Sequence, residues 1–130
     1  VWLALATGRD VLNVRRERDA AREAESRLTH IAETDSLTGL LNRRGFIGRA
    51  EALIARRRPF ALILLDLDRF KAINDVHGHQ TGDEVLRAVA HTLSRARIPH
   101  RVVIGRLGGE EFGILLDGEP SHALPLAEQL

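Results

Sequence analysis

The stretch RVVIGRLGGEEFGILL, from Arg101 to Leu116, decides the fold, because its pattern predicts a β-hairpin. Two β-rich runs, Arg101–Arg106 and Phe112–Leu116, flank a pair of glycines. A Gly-Gly pair between apolar runs favours a tight turn, since glycine supplies the positive φ that such turns need. Taken alone, the stretch is typical of a hairpin whose acidic tip, Glu110 and Glu111, is simply solvated. The alternative is that these two carboxylates hold a ligand.

The patterns that precede the hairpin predict further strands and helices. Residues 60–65 (FALILL) form a continuous apolar run, typical of a central strand buried on both faces. Residues 43–57 and 83–97 predict helices, the second from its apolar period. From Glu119 onward we expect a loop and the start of another helix. The order predicts an α/β (α+β) domain with a mixed central β-sheet flanked by helices.

The N-terminal residues, from about Thr7 to Glu33, predict one long helix rich in Arg, Glu and Ala. Apolar residues recur at intervals of seven in two registers: Val14, Ala21 and Leu28, then Ala24 and Ile31. This seam favours a parallel coiled coil that pairs two chains, and the alternative is a single helix packed on its own domain. We therefore divide the chain into a signalling helix, residues 1–33, and a domain, residues 34–130.

Composition limits the classes of function. The chain has 130 residues, no cysteine and a formal net charge of +1. The weak net charge predicts no nucleic-acid partner, and the lack of cysteine excludes disulfides and thiolate metal sites. The first residue is not Met, so we expect a piece of a longer protein or a processed product. Val1–Ala6 is too short to cross a bilayer, which takes about 20 residues. It ends a membrane helix or a preceding domain, or it is the buried or frayed start of a helix.

Two carboxylates follow the predicted strand 60–65 in the sequence LLDLDRF. Asp66 and Asp68 are two residues apart, so on a strand they point to the same side. Either one caps the next segment and the other is solvated, or both serve a cation. If the hairpin lies beside this strand, Asp66 and Glu110 converge, because neighbouring strands are about 5 Å apart. Oxygen ligands without nearby His or Cys suit Mg²⁺.

The segment FKAINDVHGHQTGDEVL, residues 70–86, carries groups that suit a nucleotide. An amide at Asn74 and a carboxylate at Asp83 match the hydrogen-bonding edge of guanine. Lys71 is a point charge suited to a phosphate. Without the hairpin, the segment is typical of a polar loop that leads into a helix. With the hairpin beside it, the segment predicts a nucleotide site.

Three motifs in this order resemble the GGDEF family, the diguanylate cyclases: DSLTGLLNRRGF, LDLDRFKAINDVHGHQTGDEVL and RLGGEEF. The central signature has its GGEEF form, and the resemblance covers Asp35 to the end of the chain. It implies a mixed sheet flanked by helices, similar to the palm of nucleotidyl cyclases and polymerases. The helix before Asp35 is similar to the helical stalk found ahead of such domains.

The resemblance implies roles for individual residues. Asp66, the carbonyl of Leu67 and Glu110 would bind Mg²⁺, with Mn²⁺ as the alternative metal. Asp68 and Glu111 would support that site, and Glu110 is also the candidate base for the 3′-hydroxyl. It further implies that Asn74, His79 and Asp83 contact guanine and ribose, and that Lys71 contacts a phosphate. Gly108 and Gly109 would let the hairpin backbone approach the phosphates.

The reaction implied is the condensation of two GTP into cyclic di-GMP, which needs two domains face to face and hence a homodimer through the N-terminal helix. We expect a cytoplasmic catalytic domain, tethered to the inner membrane by an upstream sensory or membrane segment. The family's R-x-x-D product-inhibition site is missing from ARIPHRVVIGRL, so we expect no feedback there. The chain stops before a later strand and helix of the family. That ending favours the alternative, a non-catalytic GTP-binding and dimerisation module.

Overall fold

The computed structural model describes residues 8–96, 101–118 and 121, with side chains from residue 13 onward. The elements in chain order are α1 (Gly8–Glu33), α2 (Arg43–Ala55), β1 (Phe60–Asp66), α3 (Phe70–His77), α4 (His79–Arg95), β2 (Val102–Arg106) and β3 (Glu111–Asp117). The chain divides into two compact units at Ala32/Glu33. The helix expected after Glu119 and the apolar start Val1–Ala6 lie outside the described residues.

The first unit is the helix α1, as the sequence predicts. Its apolar residues Val14, Leu28 and Ile31 are exposed in the single chain. No helix in the described part of the chain is long and apolar enough to cross a membrane. An apolar seam that faces solvent in one chain is a surface that a second chain can cover.

The second unit is built on a three-stranded sheet in the order β1-β3-β2. Both strand pairings in the described part are antiparallel, where the sequence led us to expect a mixed sheet. The hairpin β2-β3 is confirmed, and β3 is the strand buried on both faces. The corresponding expectation for β1 is wrong, because Leu62 and Leu64 are 49% and 65% exposed. A continuous apolar run hides this difference, since it lacks the alternation that marks a half-buried strand.

The core lies between the sheet and the helices α3 and α4. Phe112, Ile114 and Leu116 of β3 meet Leu86 and other buried residues of α4. Because a fully buried Leu, Ile or Phe side chain contributes about 1.5–3 kcal/mol, this face is the main source of stability in the unit. The apolar period of residues 83–97 therefore predicted the correct helix, although α4 begins earlier, at His79.

The first part of the segment 70–86, which without the hairpin is typical of a polar loop, forms the helix α3 (Phe70–His77). Gly78, with a φ of 85°, ends α3 and begins α4, so two helices follow one another directly. Phe70 is the buried residue of α3, and the other positions are partly or fully exposed. With one buried side chain in eight residues, α3 has no repeating apolar pattern from which a helix could be predicted.

Candidate functional site

The hairpin tip is a bend over residues 108–110 between β2 and β3. The Leu107 amide donates to the Glu111 carbonyl at 2.8 Å and closes this loop. The expectation of positive φ is wrong here, because neither Gly108 nor Gly109 has one. A Cβ at Gly109 would meet no atom within 4 Å, so the fold itself leaves this position open. At Gly108 a Cβ would lie 2.8 Å from Oε2 of Glu111, so only Gly109 of the two has open space around it.

The tip lies beside the end of β1, since Asp66 is the register partner of Glu111. Glu110 is the next residue toward the tip and is half-buried, whereas the side chains of Asp66 and Glu111 are exposed. The sequence prediction that the hairpin meets the end of this strand is thus confirmed. Asp66 and Glu111 thus lie side by side at the end of two adjacent strands, with Glu110 in the bend that follows.

These donors suit a hard divalent cation. Carboxylate oxygens come from Asp66 and the tip, and the Leu67 carbonyl, which accepts from the Phe70 amide at 3.2 Å, keeps a second lone pair. Among the residues with described side chains, no three acidic or histidine side chains are close enough to bind a metal ion by themselves. A cation here would take the rest of its ligands from substrate and water, which is the usual arrangement for Mg²⁺.

The turn from β1 into α3 holds two further candidates. Asp68 is exposed, and Arg69 adopts the left-handed conformation with a φ of 59°. A non-glycine residue in this region costs about 1–3 kcal/mol, which strained turns at functional sites often carry. The turn brings Lys71 into the first turn of α3, where its side chain is exposed.

The α3-α4 contact holds the candidates for guanine recognition. Asn74 of α3 is half-buried, and its Oδ1 atom is buried without a hydrogen-bond partner in the described structure. Gly82 of α4 lies against it, and a Cβ at that position would overlap this oxygen. Asp83 follows Gly82 and is half-buried, while His79 is exposed at the start of α4. The glycine therefore creates the space in which the Asn74 amide sits.

An ion pair that sequence reasoning missed joins the tip to the segment after α1. Nη1 of Arg106 donates to Asp35 Oδ1 and Oδ2 at 3.2 and 3.3 Å, and its Nε and Nη2 donate to the Gly109 carbonyl at 3.1 and 2.8 Å. Burial alone would raise the pKa of Asp35, but hydrogen bonds from Thr38 and Arg106 outweigh it and lower the pKa. The two partners are 71 residues apart, so no local pattern predicts the pair.

A cleft of about 470 Å³ lies on the opposite face of the sheet, between α2 and the exposed side of β1. Most of its lining is apolar, including Phe46, Leu62 and Leu64, and its polar end is formed by Asp66 and Glu111. The residues expected to bind guanine are not part of its lining.

A family profile described as "Diguanylate cyclase, GGDEF domain" matches residues 32–130. The chain belongs to this family, as the three sequence motifs predict. Diguanylate cyclase DgcM of Escherichia coli K12 is 45% identical over 114 residues, which cover 84% of this chain and 28% of DgcM. The probable diguanylate cyclase DgcT of the same strain is 36% identical over 104 residues, which cover 78% of this chain and 23% of DgcT. The chain thus spans less than a third of the length of these curated relatives.

Solved structures agree with the fold. The coiled coil and GGDEF domain of DgcB from Caulobacter crescentus, in complex with c-di-GMP, matches with a TM-score of 0.73 at 30% identity, over 91% of this chain and 63% of that one. Diguanylate cyclase SiaD from Pseudomonas aeruginosa, in complex with its activator SiaC, matches with a TM-score of 0.70 at 32% identity, over 91% of this chain and 47% of that one. The predicted fold class, a helix-flanked sheet of the cyclase-palm type, is confirmed.

Proposed function

We propose that this chain is the catalytic domain of a diguanylate cyclase, which condenses two GTP into cyclic di-GMP. The observation that carries the proposal is the strand register that sets Asp66 opposite Glu111, the residue next to Glu110, in a chain of the GGDEF family. Carboxylates at the ends of two neighbouring strands, next to a tip where Gly109 has open space around it, suit a nucleotide triphosphate and its cation.

In this proposal the metal is Mg²⁺, with Mn²⁺ as the alternative, held by Asp66, the Leu67 carbonyl and Glu110. When bound, it offsets the negative charge that develops on the phosphate oxygens during transfer. Asp68 and Glu111 surround these ligands and keep the local field negative. Gly108 and Gly109 leave the hairpin backbone free to approach the phosphates.

GTP would lie between the hairpin and the helices α3 and α4. The amide of Asn74 donates to the guanine carbonyl and N7, and Asp83 accepts from N1–H and the amino group. Oδ1 of Asn74 is buried against Gly82, so in this assignment it is the donor group Nδ2 of the half-buried side chain that meets guanine. His79 would contact the ribose edge, and Lys71 a phosphate.

In each half of the reaction, the 3′-hydroxyl oxygen of one GTP attacks the α-phosphorus of the other. A new P–O bond forms, the α–β phosphoanhydride bond breaks, and pyrophosphate leaves with its electron pair. Glu110 takes the hydroxyl proton in this scheme, since its carboxylate stands at the tip that faces the substrate. Two such steps close the ring and release two pyrophosphates.

One domain holds one GTP, so the reaction needs two copies of the chain. We infer a homodimer formed by residues 1–33, because Leu28 and Ile31 are exposed on α1 in the heptad positions that a second helix would cover. We also place residues 34–130 in the cytoplasm, with an upstream sensory or membrane segment as the source of the signal.

The test is the substitution Glu110→Gln, with the exposed Glu51→Gln of α2 as the matched control. Glu110→Gln keeps the side-chain size and removes the charge, so turnover should fall by about 10²-fold or more, as expected for the loss of a group that acts on the reacting atoms. Glu51→Gln should keep the wild-type rate. Equal rates for both variants would refute the assignment. A wild-type protein that binds GTP but forms no product would favour the non-catalytic module instead.

A further inference from the structure

We propose that Arg106 is a positioning residue for this reaction, because its guanidinium fastens the backbone that carries Glu110 to the turn formed by residues 35–40. The proposal rests on the cyclase function proposed above. It goes beyond that function because neither Arg106 nor Asp35 is expected to touch substrate or metal.

The guanidinium connects two places at once. Nε and Nη2 donate to the Gly109 carbonyl, at 3.1 and 2.8 Å, and this carbonyl belongs to the peptide bond that leads into Glu110. Nη1 donates to both carboxylate oxygens of Asp35. The Arg106 and Asp35 side chains are 15% and 23% exposed, so solvent screens the pair less than an ordinary surface pair.

The turn that holds Asp35 is itself fixed. The Thr38 amide and hydroxyl donate to Asp35 Oδ1 at 3.0 and 2.7 Å. The Asp35 amide donates to the Leu40 carbonyl at 2.8 Å, and the Gly39 amide donates to the Asp35 carbonyl at 2.8 Å. Asp35 therefore offers a rigid anchor and not a mobile surface carboxylate.

The segment that follows this turn is also hydrogen-bonded to the strand β2. The Arg106 amide donates to the Leu41 carbonyl at 2.8 Å, and Leu41 forms a parallel β-bridge with Gly105. A Cβ at Gly105 would lie 2.8 Å from Phe46 Cδ2 and 3.1 Å from the Leu41 carbonyl oxygen, so a side chain there would force the segment away. The tip is thus held from the strand side and from the turn side.

The tip needs this support because its own residues supply little. Gly108 and Gly109 have no side chains to pack, and glycine gives the backbone the greatest freedom to lose. Glu110 must nevertheless be placed accurately, since a displacement of about 1 Å in a catalytic group can cost 10²-fold in rate. The Arg106 clamp replaces the missing side-chain packing with charge-assisted hydrogen bonds to the backbone.

Three variants of the intact protein test the proposal. Arg106→Ala removes the clamp, and Arg106→Lys keeps the charge but cannot span the Gly109 carbonyl and Asp35 with one planar fork. Arg49→Ala is the matched control, because it removes an Arg that pairs at 3.5 Å with Glu33 and does not reach the hairpin.

The readouts are kcat, the KM for GTP, the Mg²⁺ concentration at half-maximal rate, and deuterium exchange of the tip amides in metal-free protein. For Arg106→Ala we expect kcat to fall and the Mg²⁺ requirement to rise, each by about 10–100-fold, as for residues that orient metal ligands. Arg106→Lys should fall between Arg106→Ala and wild type. Amide exchange at residues 108–111 should quicken in both variants, and Arg49→Ala should match wild type in every readout.

The outcomes distinguish the proposed cyclase function from the positioning role of Arg106. A wild-type protein that makes no cyclic di-GMP would overturn the proposed function and this proposal with it. Wild-type turnover with an unchanged Mg²⁺ requirement and unchanged tip exchange in Arg106→Ala would overturn the positioning role alone. A lower kcat with an unchanged Mg²⁺ requirement would also overturn it, because partial unfolding lowers the active concentration without altering the metal dependence. If Arg106→Ala does not fold, Arg106→Lys is judged by the same criteria.

Discussion

Replacing Gly82 by alanine tests the α3-α4 contact on which the proposed guanine site depends. In most helix interiors this change is stabilising, by up to about 1 kcal/mol, because glycine is a poor helix former. Here the new Cβ would overlap Oδ1 of Asn74 and lie 3.2 Å from Phe70 Cζ. The gain in helix propensity is therefore opposed by a clash inside the packed pair of helices.

The magnitude follows from a comparison with Gly48 of α2, where a Cβ would meet nothing within 4 Å. Gly48→Ala should stabilise the domain by about 0.5–1 kcal/mol, since the propensity term acts alone. At Gly82 the overlap should cost about 1–3 kcal/mol, the range for inserting a group into a packed interior. Because the propensity term is common to both variants, they should differ in unfolding free energy by about 1–3 kcal/mol.

Denaturant unfolding of both variants measures that difference, and the KM for GTP measures the effect on the site. Gly82→Ala should raise KM, because Asn74 must move, whereas Gly48→Ala should not. Adding Asn74→Ala to Gly82→Ala should recover stability, with a coupling of about 0.5–3 kcal/mol for residues in direct contact. If Gly82→Ala is as stabilising as Gly48→Ala, the described contact between α3 and α4 is wrong.

Three further predictions concern other parts of the chain. Asp83→Ala should raise the KM for GTP by about 10-fold or more, since a lost hydrogen bond to a charged group costs about 1.5–3 kcal/mol. An unchanged KM in steady-state assays would count against the guanine assignment. Leu28→Glu should weaken dimerisation, because the exposed apolar seam of α1 would acquire a charge in every chain. An unaltered dimer in sedimentation experiments would show that α1 does not pair two chains through this seam. Asp35→Asn should destabilise the fold most at neutral pH: the folded-state pKa of Asp35 is lowered, so its contribution is present when it is ionised and is lost as the pH falls below about 4. Unfolding free energies that differ from wild type by the same amount at pH 7 and pH 3 would contradict that cause.

Much of the fold could be read from the sequence because its signals are local. The apolar runs on each side of the glycines predicted β2 and β3, and the period of residues 83–97 predicted most of α4. Asn42 caps α2, with its side chain accepting from the Gly45 amide at 3.0 Å, a pattern that local rules describe. The three motifs then gave the family.

The features that sequence could not give depend on long-range packing. The exposure of Leu62 and Leu64 depends on which helices cover each face of β1, which a continuous apolar run does not reveal. The helix α3 has one buried residue, so its sequence lacks the repeating apolar pattern that predicts a helix. The Arg106–Asp35 pair joins distant parts of the chain. The backbone conformation of the tip glycines was not predictable either, since neither has the positive φ that the turn pattern suggested.

The most direct test of the proposed function is product formation by the intact dimeric protein supplied with GTP and Mg²⁺. Chromatography of the reaction should show cyclic di-GMP together with two pyrophosphates for each molecule formed, and Glu110→Gln should form neither. GTP that stays unconverted by a folded, dimeric wild-type protein would contradict the assignment of this chain as a diguanylate cyclase.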